Sequence, residues 1–316
     1  MSEKKTIAVV GATGAQGGGL ARAILGDPDS RFEVRALTRK PDSDTARQLA
    51  ELGAQVVQAD LDDAASVREA FEGAYGAFCV TNFWEHFSPG REQSQARHMA
   101  QGAAGEGLEH VIWSTLEDVR RYVPLSDPSI PTLNGMYKVP HFDAKGAIDH
   151  VFTDLGVPTT FLLTSFYWEN LIYFGMGPRR SEAGGLLLTL PMGNKKLAGI
   201  AVADIGKCAY GIFRRGAEMT GKTVGVAGDH LDGETMASEL SRAMDQEVRY
   251  QPMSVDAYRK LGFPGADDLG NMFQFFSDFE VLVCQSRSLE GSRALNPELE
   301  SFTDWLAQNG SRIPVL

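Results

Sequence analysis

"TIAVVGATGAQGGGLARAIL", residues 6–25, sets an apolar run against a glycine-rich turn and then a helical pattern. The run TIAVVG (6–11) is short, apolar and rich in β-branched residues, as expected of a strand buried on both faces. GGGLARAILGD (17–27) spaces its apolar residues as a helix does. Between them Gly11, Gly14 and Gly17 form G-x-x-G-x-x-G. In a strand–turn–helix the first glycine permits the sharp turn and the second lets a pyrophosphate approach the backbone. The helix N-terminus then offers N–H groups and partial positive charge to the phosphates. The stretch therefore predicts a dinucleotide cradle.

The alternation continues outward from it. EVRALTR (33–39), AQVVQAD (54–60), YGAFCVT (75–81), HVIWST (110–115) and TTFLLTS (159–165) read as further strands. TARQLAELG (45–53), AASVREAFEG (64–73), REQSQARHMAQGAAGEG (91–107) and HFDAKGAIDHVFTDLG (141–156) read as the helices between them. Short apolar strands with helical crossovers give an α/β fold with a doubly wound parallel sheet of Rossmann type. The helical DIGKCAYGIFRRG (204–216) and the strand TVGVAG (223–228) return to that sheet. The expected division is a Rossmann domain over residues 1–165, completed by 201–228. Residues 166–200 and 229–316 then make a smaller mixed α/β C-terminal lobe over the strands' C-terminal ends. Residues 116–140 hold four prolines and break the rhythm, so they read as an irregular surface loop near the cleft.

With 43% hydrophobic and 22% charged residues among 316, the chain has the composition of a folded domain, which excludes disorder. Its net charge of −11, with lysine and arginine dispersed, offers no basic stripe to displace counterions from a phosphate backbone. Direct nucleic-acid binding is therefore not expected. No apolar run approaches the length of a membrane span. MSEKK runs straight into the first strand, which leaves no room for a leader peptide. Cys79, Cys208 and Cys284 lie far apart, so neither a disulfide framework nor a zinc site is expected, and a reducing cytoplasm is the natural compartment. The six histidines show no ligand spacing, and no metal site is expected.

The end of the second strand selects the cofactor. Where an NAD-binding chain commonly carries an acid for the ribose hydroxyls, this one reads Thr38, Arg39, Lys40. Arg39, with Lys40 beside it, suits a 2′-phosphate, so NADP(H) is expected over a weaker NAD(H). Asp62, followed by Asp63 in ADLDD, is a candidate for the adenine amino group or for a helix N-cap. Thr81, Asn82, Phe83 and Trp84 follow the fourth strand and should border the ribose and nicotinamide; Trp84 equally suits a packed cleft wall.

To this point the chain resembles the short-chain dehydrogenase/reductase superfamily, whose standard members carry Tyr-x-x-x-Lys on the helix before the sixth strand. Here that helix reads HFDAK: Lys145 is present, but His141 stands four residues before it, and no Tyr-x-x-x-Lys occurs in the chain. Ser114 matches the usual catalytic serine. Ser114, His141 and Lys145 are the catalytic candidates if there is turnover, His141 as an acid near neutral pH. Lys145 is also a candidate ribose contact.

GATGAQGG, VTNFWE, HFDAKG, SFYWENL and LGFPGADDLGNMFQFF together resemble the NmrA-like family, an atypical branch of that superfamily with redox-sensing members. The resemblance runs from about residue 4 to about residue 310. It implies phosphate contacts from Gly11, Thr13, Gly14, Ala15 and Gln16, and nicotinamide-side contacts along Tyr167, Trp168, Glu169 and Asn170. It also implies transcriptional regulation through a protein partner, and leaves a homodimer open. The helix REQSQAR has its cations shifted from the lysine-containing helix of a family member at that point.

Two readings follow. The first is an NADP(H)-binding redox sensor acting through conformation or partners. The second is an NADPH-dependent reductase of a quinone or carbonyl; a vestigial nucleotide site on a scaffold stands behind both.

Overall fold

The apolar run that opens the sequence forms strand β1 (Lys5–Val10), and its last four residues are buried. The computed structural model describes residues 4–181 and 184–316. From β1 the chain alternates through α1 (Ala15–Gly26), β2 (Phe32–Thr38), α2 (Asp44–Glu51), β3 (Gln55–Gln58), α3 (Ala64–Phe71) and β4 (Gly76–Cys79). It continues with α4 (Pro89–Gly105), β5 (His110–Thr115), α5 (Pro140–Gly146), α6 (Asp149–Asp154) and β6 (Thr159–Leu163). A seven-stranded sheet runs in the order Thr223–Gly225, β6, β5, β4, β1, β2, β3. The pairs β2–β3, β1–β2, β1–β4, β4–β5 and β5–β6 are all parallel. The α/β fold with a doubly wound sheet is therefore as the sequence predicts.

Strand order reverses at β1, which has β2 on one side and β4 on the other. At such a switch point the loops after neighbouring strands diverge and leave a crevice at the strands' carboxyl ends. The glycine turn after β1 and the segment after β4 thus come out side by side.

Two compact units share the chain. The first comprises residues up to Asp118, His141–Leu163 and Ala203–Val224. On one face of its sheet, Val67 and Phe71 of α3 and Met99 of α4 pack with Trp113 and Phe152. Helix Val202–Arg215 crosses α1 so closely that a Cβ on Gly206 would stand 2.1 Å from the Leu20 nitrogen. Phe32, fully enclosed, lies 6.1 Å from the Phe213 ring.

The predicted helix 141–156 is divided into α5 and α6. Its chain tightens between them, where Ile148 N–H donates to the Lys145 carbonyl at 3.1 Å. Gly146 marks the break: a Cβ there would meet the Asp118 nitrogen at 2.4 Å.

The second unit comprises Val119–Pro140, Thr164–Val202 and Gly225–Leu316. It holds two small mixed sheets, one of Phe166–Tyr167, Leu197–Ile200 and Asp229–Leu231, the other of Arg179–Arg180, Leu186–Leu188 and Val248–Tyr250. Residues 119–140 are irregular, as their prolines require, but they are more than a surface loop. Val119, Val123, Ile130, Lys138 and Val139 are buried. Asn271, on helix Ala266–Asp278, donates to the carbonyls of Pro131 (2.8 Å) and Lys138 (2.5 Å), and Gln274 donates to that of Ser129 (2.8 Å).

Candidate functional site

Gly11 turns the chain after β1 in the left-handed region (φ +63°), and Gly14 N–H donates back to its carbonyl at 2.8 Å. Gly17 lies against the strand, where a Cβ would stand 2.5 Å from the Val10 carbonyl oxygen. Gly14 is the N-cap of α1 and brings no side chain to the first-turn N–H groups; no acid occupies that turn, and Gly14 and Ala15 are exposed. An uncapped, exposed helix N-terminus of this kind fits a pyrophosphate. Ser114, at the end of β5, donates to Gln16 Oε1 at 2.8 Å and so braces the turn. Thr13 is half-buried in the turn itself.

On the β2 side, Arg39, Lys40, Pro41, Asp42, Ser43 and Gln58 line an open concavity of about 480 Å³. Arg39 spends its fork on Glu85, with Nη1 and Nη2 donating to the two carboxylate oxygens at 2.5 and 2.8 Å. That pairing raises the guanidinium above its ordinary value and holds the Glu85 carboxyl below its own. Asp62 accepts from Arg91, and from Gln95 at 2.9 Å, and the Arg91 bonds lower its carboxyl. The N-cap of α3 is its neighbour Asp63, which accepts from Ala65 N–H at 2.9 Å; of the two roles open to Asp62, capping is excluded.

After β4 the chain makes a single 3-10 turn, Phe83–Glu85, with Asn82 exposed at its head. Lys145 extends from α5 to meet this segment. Its ammonium lies 2.5 Å from Glu92 Oε1, donates to Thr81 Oγ1 at 2.5 Å and to the Thr81 carbonyl at 3.2 Å. The Thr81 hydroxyl in turn donates to Glu92 Oε1 at 2.6 Å. His86 Nδ1 accepts from Ser88 N–H, so the ring proton sits on Nε2, 3.4 Å from Glu92 Oε2. Lys145, Glu92 and Thr81 are all buried. His141 is enclosed as well, its ring 4.7 Å from that of Trp84 and 5.9 Å from that of Phe83. Cradle, switch point and buried lysine thus lie on one unit. The sequence profile of the NmrA-like family matches residues 3–306. The chain belongs to the NmrA-like family.

Among curated relatives, an NmrA-like family domain-containing oxidoreductase, FrzB, from a Cladobotryum species is 28% identical, covering 85% of this chain and 83% of its own. Among solved structures, NmrA, a negative transcriptional regulator, matches with a TM-score of 0.79 at 22% identity, covering 97% of this chain and 95% of its own. NmrA has been solved with NAD and with NADP. The triphenylmethane reductase of a Citrobacter species, solved with NADP(H), matches with a TM-score of 0.73 at 16% identity, covering 97% of this chain and 99% of its own.

In this NmrA-like chain, Tyr167–Asn170 belong to the second unit. Tyr167 is half-buried, its hydroxyl 3.5 Å from Thr164 Oγ1. Trp168 is packed: a Cβ on Gly199 would stand 2.3 Å from its indole nitrogen, and the Phe302 ring lies 5.3 Å away. Glu169 accepts from Val202 N–H at 3.0 Å and Trp305 Nε1 at 3.1 Å, and burial raises its carboxyl above the ordinary value. Asn170 opens a short helix, Asn170–Tyr173. Glu85, His86 and Glu92 join the site although none is among the residues the sequence marks for it. The last carried a signal, since Glu92, Ala96, Met99 and Ala103 share one buried stripe of α4.

Proposed function

We propose that the chain is an NADP(H)-binding regulatory protein that reports its bound dinucleotide through conformation or protein partnership. The observation that carries this reading is the state of Lys145 and His141. The lysine is neutralised by Glu92, and the residue one helical turn before it is an imidazole enclosed by aromatic rings rather than a phenol. A proton-transfer dyad needs its acid within reach of the reacting atom and its lysine available to tune that acid. The uncapped cradle, together with Arg39 and Lys40 beside a concavity, supports binding of the dinucleotide and preference for its 2′-phosphorylated form. That NmrA itself is a regulator solved with both dinucleotides adds support. Cytoplasmic residence and a regulatory protein partner, with a homodimer as one arrangement, belong to the same proposal. Among the described residues no helix is long and apolar enough to cross a membrane.

Calorimetric titration with NADP and NAD tests it on wild type and Arg39→Ala. The expected result is tighter binding of NADP by wild type, a preference that Arg39→Ala removes. Equal affinities for both dinucleotides in both proteins would sink the assignment.

A second reading, an NADPH-dependent reductase of a quinone or carbonyl, is favoured by the oxidoreductase name of FrzB and by the fold shared with triphenylmethane reductase. When bound, the nicotinamide supplies the hydride; Ser114, His141 and Lys145 are the polar groups this chain offers. NADPH oxidation over a quinone and aldehyde panel separates the readings. Turnover that disappears in Lys145→Ala while cofactor binding persists would establish the reductase.

A further inference from the structure

A guanidinium presents one flat edge of paired N–H donors, and the edge that grips a carboxylate is the edge that grips a phosphate. In this chain that edge of Arg39 is filled from within. Glu85, 46 residues further along, places both carboxylate oxygens on Nη1 and Nη2 at 2.5 and 2.8 Å. The pair is partly exposed, so it can open without unpacking a core. The other charged or titratable groups acting on it are Asp60, which reinforces Arg39, Arg91, which opposes Arg39 and attracts Glu85, and His86, which also favours the Glu85 carboxylate. Glu85 is also the last residue of the 3-10 turn whose Trp84 ring lies 4.7 Å from His141. The Glu85–Arg39 pair thus ties that turn to the end of β2.

We propose that Glu85 is a built-in counter-anion to Arg39, which a 2′-phosphorylated dinucleotide must displace and an unphosphorylated one leaves in place. This rests on Arg39 being the 2′-phosphate ligand. Two consequences follow. Glu85 reduces the preference for NADP(H) below what Arg39 alone would give, because each 2′-phosphate bond replaces an existing ion pair. It also makes arrival of the 2′-phosphate mechanical: the carboxylate leaves Arg39, and the turn from Phe83 to Phe87 moves with it, so the chain distinguishes NADP(H) from NAD(H) by shape as well as by affinity.

The test titrates wild type, Glu85→Gln and Arg39→Ala with NADP and with NAD, reading affinity by calorimetry and Trp84 emission as the difference from a Trp84→Phe background. Glu85→Gln should tighten NADP about fivefold, the upper scale of an exposed ion pair, and leave NAD unchanged. NADP should shift Trp84 emission in wild type, NAD should not, and Glu85→Gln should lose most of the shift. If Arg39→Ala weakens NADP while Glu85→Gln leaves it unchanged or weaker, the counter-anion is overturned and the Arg39 reading stands. If Arg39→Ala does not change NADP relative to NAD, the Arg39 reading fails and the counter-anion falls with it.

Discussion

Lys145 and Glu92 form a buried ion pair, Nζ 2.5 Å from Oε1, with the Thr81 hydroxyl bonded to both. Burying two charges is costly unless each satisfies the other, and removing one partner leaves the other charge stranded. Glu92→Leu should therefore cost about 3–5 kcal/mol of stability in urea denaturation, whereas Glu92→Leu combined with Lys145→Met should recover most of it. Additive losses in the double variant would show that the two side chains do not act as a pair.

His110 makes stability depend on pH. It is fully buried, and its Nε2–H donates at 2.9 Å to Thr160 Oγ1, whose own proton goes to the Met219 carbonyl at 2.8 Å. Burial pushes the imidazole down from 6.5 to about 4. Below pH 6.5 the unfolded chain takes up a proton that the folded chain refuses. Stability is thus fully present above that pH and falls as pH drops toward 4, by about 3 kcal/mol in all. The difference in melting temperature between wild type and His110→Gln should shift in favour of the variant over that interval and stay constant above pH 7.

Gly206→Ala tests the crossing of α1 by helix Val202–Arg215. Its Cβ would intrude on the Leu20 nitrogen at 2.1 Å, so a loss of about 2–3 kcal/mol is expected from overpacking. Gly26→Ala, where a Cβ meets nothing within 4 Å, should be neutral or stabilising by about 0.5 kcal/mol. Similar losses at both positions would argue against the close crossing.

Asn271 is the pin of the 119–140 excursion. Its Nδ2 donates to two carbonyls of that segment and its Oδ1 accepts from Arg259 Nε at 2.8 Å. Asn271→Asp turns both donations into oxygen facing oxygen. Limited proteolysis should then cut between Pro124 and Tyr137 at least tenfold faster, a population shift worth about 1.4 kcal/mol. Unchanged cleavage would free Asn271 of that role.

These cases separate what the sequence makes legible from what it hides. Strands buried on both faces announce themselves as short apolar runs, and the cradle does so because backbone sterics leave glycine little competition at Gly11 and Gly17. Glu92 reads as an ordinary first-turn acid; only its place on the stripe with Ala96 and Met99 marks it as inward-facing. Prolines correctly mark 119–140 as irregular, but the carbonyls of Ser129, Pro131 and Lys138 are satisfied by Asn271 and Gln274, more than 130 residues away. Pairing across such a separation leaves no local pattern. LGFPGADDLGNMFQFF carries the family resemblance, and its polar residues hold the excursion in place. Glu85 was hidden for a related reason: the carboxylate that meets Arg39 comes from a different crossover, not from the end of β2.

Because Gly206 and Phe213 lie on a helix that returns only after 39 residues of the second unit, the first unit is not finished when β6 leaves the ribosome. At about 5–20 residues per second, several seconds of synthesis pass with Leu20 and Phe32 lacking their cover. The nascent chain must keep that apolar face shielded in the interval, and a gene fragment ending near residue 165 would encode the cradle without the helix that closes its back.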